Sequence, residues 1–103
     1  MSIEIGGYQF EGPYIDTNHL QDNSGVYVLL DKKSDGKYYV LDVGESSQVK
    51  TRIESHDRAK QWNKNCEGNL SVAVLYTPNK QQPGRKEIEQ FLRDKYKPCC
   101  GDR

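Results

Sequence analysis

The sequence predicts a small α+β domain, a mainly antiparallel three-stranded sheet flanked by helices. Two observations carry that expectation. Gly25-Val26-Tyr27-Val28-Leu29-Leu30 and Tyr38-Tyr39-Val40-Leu41-Asp42-Val43 are β-branched and aromatic runs joined by residues 31–37, where Asp35-Gly36 favours positive φ. After them come a segment of helical period, a third apolar run and a second helical segment.

The elements follow in order. Residues 1–24 mix short extended pieces with polar turns. Tyr8, Phe10 and Tyr14 alternate weakly and Asp22-Asn23-Ser24-Gly25 is a turn cluster, so this stretch reads as an N-terminal extension packed on a domain of residues 25–103. Ser46-Ser47 is suited to cap a helix over residues 48–62, with Val49, Ile53, Ala59 and Trp62 inward and Lys50, Glu54 and Asp57 outward. Leu70-Ser71-Val72-Ala73-Val74-Leu75-Tyr76 is nearly continuous in apolar character, which suits a central strand. A second helix is expected over residues 84–96, carrying Ile88, Phe91 and Leu92 at i, i+3, i+4 and stopped by Lys97-Pro98.

A chain of 103 residues is one domain. No apolar stretch approaches the ~18 residues of a membrane span. The opening Met1-Ser2-Ile3-Glu4-Ile5-Gly6 lacks a basic region followed by an apolar run, so a cytoplasmic protein is expected. Lys and Arg total 15 and Asp and Glu total 15, a balance that argues against a strong non-specific nucleic-acid binder. The charges are nevertheless polarised. Residues 1–42 set Glu4, Glu11, Asp16, Asp22, Asp31, Asp35 and Asp42 against Lys32, Lys33 and Lys37, and the bases concentrate in the two helical segments. Cys66, Cys99 and Cys100 contain no CxxC, and with His56 their spacing does not match a zinc knuckle. Reduced thiols are expected.

Five short motifs then stand in sequence. Gly25-Val26-Tyr27 opens a strand and Asp42-Val43-Gly44 closes the next; Arg52 lies eight residues past Gly44, His56 four further on, and Glu89-Gln90-Phe91-Leu92 precedes Pro98. In this order the chain resembles the GIY-YIG nuclease superfamily over about residues 25–98. Two departures stand out. Asp42 replaces the tyrosine of the family's second tripeptide, and Gly101 stands near the place of an asparagine common after the late proline. Tyr38, four residues before Asp42, shares its strand face by parity but lies about 13 Å away, too far to replace that phenol.

The resemblance implies a metal-dependent endonuclease that hydrolyses DNA phosphodiester bonds, with catalytic residues Tyr27, Asp42, Arg52, His56 and Glu89. Glu89 would hold Mg²⁺ or Mn²⁺, which neutralises charge at the scissile phosphate. Arg52 would bind that phosphate in two-pronged fashion, with His56 one helical turn on and on the same face. Tyr27 would orient or deprotonate water, and a carboxylate at Asp42 can also accept a proton. Gly25, Gly44, Arg58, Lys60 and Arg85 are the expected nucleic-acid contacts. With no base-reading element, targeting would fall to structure-selective binding, dimerisation or a partner protein. The other reading is a catalytically inactive module that keeps the fold and binds nucleic acid or protein; the missing second tyrosine favours it.

Overall fold

The computed structural model describes residues 1–101. It is an α+β fold with one antiparallel sheet of five strands, not three. The strands are β1 (Ser2–Ile5), β2 (Tyr8–Tyr14), β3 (Gly25–Lys32), β4 (Tyr38–Ser46) and β5 (Asn69–Tyr76), in the spatial order β1-β2-β5-β3-β4. The helices are α1 (Val49–Glu54), α2 (Ala59–Asn65) and α3 (Gln82–Tyr96), with a short 3-10 turn at Thr17–His19.

The two additional strands come from the N-terminal residues, which therefore belong to the sheet. Gly6 and Gly7, at φ 60° and 90°, form a two-residue turn that pairs Ile5 with Tyr8 and Ile3 with Phe10. Only residues that tolerate positive φ close a turn of this kind. Ile5 and Phe10 are buried, and β2 then pairs with β5. β5 lies between β2 and β3, as its continuous apolar run requires.

The sheet is covered on both faces, and alternation along the strands supplies two cores. Tyr27, Leu29, Val49, Ile53, Trp62, Val72 and Val74 pack on the face covered by α1 and α2. Val26, Val28, Leu30, Val43, Ala73, Ile88 and Leu92 pack on the face covered by α3. β4 is an edge strand, and its register against β3 slips between Leu29–Asp42 and Leu30–Val40, leaving Leu41 as the extra residue. A bulge of this kind breaks strand parity. Asp42 faces Trp62, whereas Tyr38, paired with Lys32, falls on the opposite face, so the two do not share a face as simple parity predicts.

The single helix expected over residues 48–62 is two short helices. Ser55, His56 and Asp57 have low helix propensity, and the chain opens after Glu54 and restarts at Ala59. Arg52 and His56 are thus not one turn apart on a common helix. α3 begins two residues earlier than expected, with Pro83 in its first turn where a missing N–H costs nothing, and ends at Lys97 with φ 49°. Residues 98–101 then return along the edge of β4, where the Cys100 N–H donates to the Leu41 carbonyl.

Candidate active site

β3 and β4 place Tyr27 opposite Gly44. The Tyr27 ring is buried, 1% exposed, and lies over Gly44, where a Cβ would collide with the phenol oxygen. Gly44 is therefore the floor on which the tyrosine rests. Gly25 has a different reason to lack a side chain: a Cβ there would stand 2.6 Å from the Leu75 carbonyl oxygen of β5. That is a demand of strand packing, not of an open contact surface.

The break between α1 and α2 turns His56 inward. Its side chain is fully buried, between the edge of the Tyr27 ring and Trp62. Nε2 lies 2.7 Å from the Tyr27 hydroxyl, and Nδ1 accepts the peptide N–H of Arg58 at 3.1 Å. Burial, reinforced by the charges of Arg52 and Arg58, pushes the imidazole down to about 4, so it is neutral at pH 7. Burial pushes the Tyr27 phenol up to about 12 despite the nearby Arg52 and Arg58. The charges of Asp42 and Glu89 also act on that phenol.

Asp42 is fully buried and occupied by donors. Oδ2 accepts Arg58 Nε–H at 2.7 Å and Trp62 Nε1–H at 2.7 Å. Oδ1 accepts Arg93, the second Arg58 nitrogen at 3.3 Å, and its neighbour's Val43 N–H at 2.9 Å. Arg93 reaches round the edge of β4 from α3 and also donates to the carbonyls of Val43 and Cys100. A carboxylate so enclosed has no oxygen left for a metal ion or a substrate proton, the roles expected for it. Gly101, at φ 89°, closes the cluster: a Cβ there would stand 2.7 Å from Arg93 Nη2 and 3.1 Å from Asp42 Oδ1.

The remaining predicted residues divide by exposure. Glu89 is 15% exposed, with Lys86 Nζ at 3.5 Å and Arg93 Nε at 3.4 Å. Arg52 is 40% exposed and only loosely paired with Asp57, at 3.2 Å. Lys60 is exposed on α2. Arg85 is not a surface cation: it is buried, with Nε 2.8 Å from Glu45 Oε1 and Nη1 donating to the Lys80 carbonyl. Arg58 likewise gives its guanidinium to Asp42, not to open solvent.

Asp42, Arg52, Arg58 and Glu89 are thus brought within electrostatic reach of the Tyr27 phenol, which His56 touches, beside the edge of β4; neither Lys60 nor Arg85 is among the charges that act on Tyr27 or His56. The sequence reading missed Arg93 and Trp62 as members. Both left a signal: Trp62 falls on the inner stripe of its helix, and Arg93 stands at i+4 from Glu89. Among the described residues no group of three His, Cys, Asp or Glu side chains is placed to hold a metal ion. No family model, curated protein or solved structure matches the chain.

Proposed function

We propose that this chain is a metal-dependent endonuclease that hydrolyses DNA phosphodiester bonds through a site of the GIY-YIG type. One observation carries the reading. Tyr27 of β3 and His56 of the α1–α2 segment, far apart in sequence, meet as a buried phenol–imidazole pair on which the charges of the half-exposed Arg52 and of the rim carboxylate Glu89 of α3 both act. Phosphodiester hydrolysis needs these groups: donors to the phosphate oxygens, a cation for its charge and an anionic anchor for a metal.

Glu89 is one carboxylate with Lys86 on one oxygen and Arg93 on the other, so a hard divalent cation there would have to keep most of its waters and take its further ligands from substrate phosphate. Glu89 would hold Mg²⁺ or Mn²⁺, which supplies neutralisation of charge developing on the phosphate. Lys86, which is largely exposed, would have to give up its oxygen to the metal, while Arg93 keeps the other. Arg52 needs to leave only an exposed partner, Asp57, to grip a phosphate in two-pronged fashion. Tyr27, with its pKa raised to about 12, keeps its proton at pH 7 and serves as a hydrogen-bonding phenol, not as a phenolate base.

Both departures from the family pattern have a local explanation under this reading. Asp42 is the acceptor that two arginines and a tryptophan require, and Gly101 leaves room for Arg93 beside it. The same arrangement favours the alternative, a binding module without catalysis, because it leaves the cluster without the second phenol. Nicking of supercoiled plasmid with Mg²⁺ or Mn²⁺ separates the two. The nuclease reading expects cleavage that EDTA, Glu89→Gln and Arg52→Ala each abolish while the proteins stay folded. Binding to plasmid, branched and single-stranded DNA, unaffected by Mg²⁺ and with no cleavage of any of them, establishes the module instead.

A further inference from the structure

The Tyr27–His56 pair has two chemically opposite states, and the residue after Asp57 selects between them. A neutral imidazole carries one proton. If it sits on Nδ1, Nε2 accepts from the Tyr27 hydroxyl, and the pair is able to draw a proton from a water. If it sits on Nε2, the imidazole donates to Tyr27 Oη, and the hydroxyl proton is left for another acceptor. The two claimants on Nδ1 are the peptide N–H of Arg58 at 3.1 Å and the Asp57 carboxylate at 3.2 Å. The first requires Nδ1 bare and the second requires it protonated.

The two claimants are not held equally. The Asp57 side chain is 74% exposed and shares its Oδ1 with Arg52, so water and a cation both weaken its pull. The Arg58 peptide sits at the start of α2 on a residue whose guanidinium is clamped to Asp42 by two hydrogen bonds. Asp42 is itself immobilised by Arg93 and Trp62. We infer that Asp42 is a positioning residue: by clamping Arg58 it keeps the Arg58 N–H on Nδ1 of His56, fixes the Nε2–H tautomer and makes Tyr27 a hydrogen-bond donor. The inference rests on the proposed nuclease reading only for what that donor meets, a phosphate oxygen. The tautomer is a property of the free protein.

The test is a long-range ¹H–¹⁵N correlation spectrum of the imidazoles in metal-free protein. The chain has two histidines, and His19→Gln assigns the signals. The wild type is expected to show His56 as the Nε2–H tautomer from pH 7 down to about pH 5. Asp57→Asn leaves that pattern unchanged. Arg58→Lys and Asp42→Asn shift the tautomer ratio about five- to tenfold toward Nδ1–H, the effect of one net hydrogen bond, in proteins that still unfold cooperatively. Where Asp42→Asn does not fold, Arg58→Lys decides. An Nδ1–H wild type, or Nε2–H retained in folded Arg58→Lys, overturns the inference whatever the cleavage result. The expected shift in a protein that cleaves no DNA leaves the inference standing and removes the nuclease. If cleavage occurs, Arg58→Lys should lower kcat with little change in KM, the signature of a group that acts on the chemical step.

Discussion

The Tyr27 hydroxyl rests on the α-carbon of Gly44, its partner across the β3–β4 ladder. A methyl group at position 44 and the phenol ring claim the same space, and both residues are buried, so neither is able to yield cheaply. Gly44→Ala should therefore cost about 1–3 kcal/mol in urea unfolding. Combining it with Tyr27→Leu should restore part of that loss, because the smaller side chain vacates the position. Additive losses in the double variant would show that the contact does not constrain the tyrosine.

His56 makes stability depend on pH. Its pKa is near 4 in the folded protein, against an ordinary value of 6.5 in the unfolded chain, because burial disfavours the charged ring. The unfolded state therefore binds more protons between those values. The contribution is fully present above about pH 6.5 and is lost progressively as pH falls to about 4, by roughly 3 kcal/mol in all. Urea unfolding of the wild type should show this slope, and His56→Gln should flatten it. An equal slope in both proteins would place the titration elsewhere.

Asp42 holds together elements that the sequence separates widely. Asp42→Ala leaves the Arg58 and Arg93 guanidiniums and the Trp62 N–H without their shared acceptor, and should cost about 3–5 kcal/mol. For a domain of ordinary stability that is a large share of the total. Thermal unfolding of Asp42→Ala, compared with an exposed substitution such as Lys60→Ala, checks the point. A loss below about 1 kcal/mol for Asp42→Ala would mean that the arginines find other acceptors.

The β3–β4 hairpin, the central strand β5 and α3 were legible because each rests on local signals: an Asp-Gly turn, an unbroken apolar run and an i, i+3, i+4 stripe. The β1–β2 hairpin left a signal as well, Gly6-Gly7 between alternating Ile3, Ile5, Tyr8 and Phe10, but four residues of β1 are too few to outweigh the polar turns around them. The bulge at Leu41 was not legible, since it depends on pairing with β3, and it is the bulge that sets Asp42 against Trp62 and Tyr38 on the other face. Tyr27, Arg52, His56 and Glu89 were placed together by motif order. What they pair with was hidden, because Arg85 and Arg58 read as surface cations, and Arg93 as nothing in particular, until the fold supplies Glu45 and Asp42.

Arg52 and Arg85 look alike in the sequence and should behave oppositely. Arg85 is buried on α3 with its guanidinium on Glu45 and the Lys80 carbonyl, so Arg85→Ala leaves a buried carboxylate without its closest partner. Lys86 Nζ, at 3.6 Å and largely exposed, replaces it only in part. A loss of about 2–4 kcal/mol is expected, with DNA affinity changed little while the protein stays folded. Arg52 is 40% exposed and paired with an exposed aspartate, so Arg52→Ala should cost at most about 1 kcal/mol in stability. If Arg52 meets the scissile phosphate, the same substitution should lower DNA cleavage by two orders of magnitude or more. Urea unfolding and plasmid nicking on the two variants give four numbers. If Arg52→Ala cleaves like the wild type, the phosphate lies elsewhere, and a loss of cleavage confined to Arg85→Ala at full folding would move it to the Glu45 side of β4.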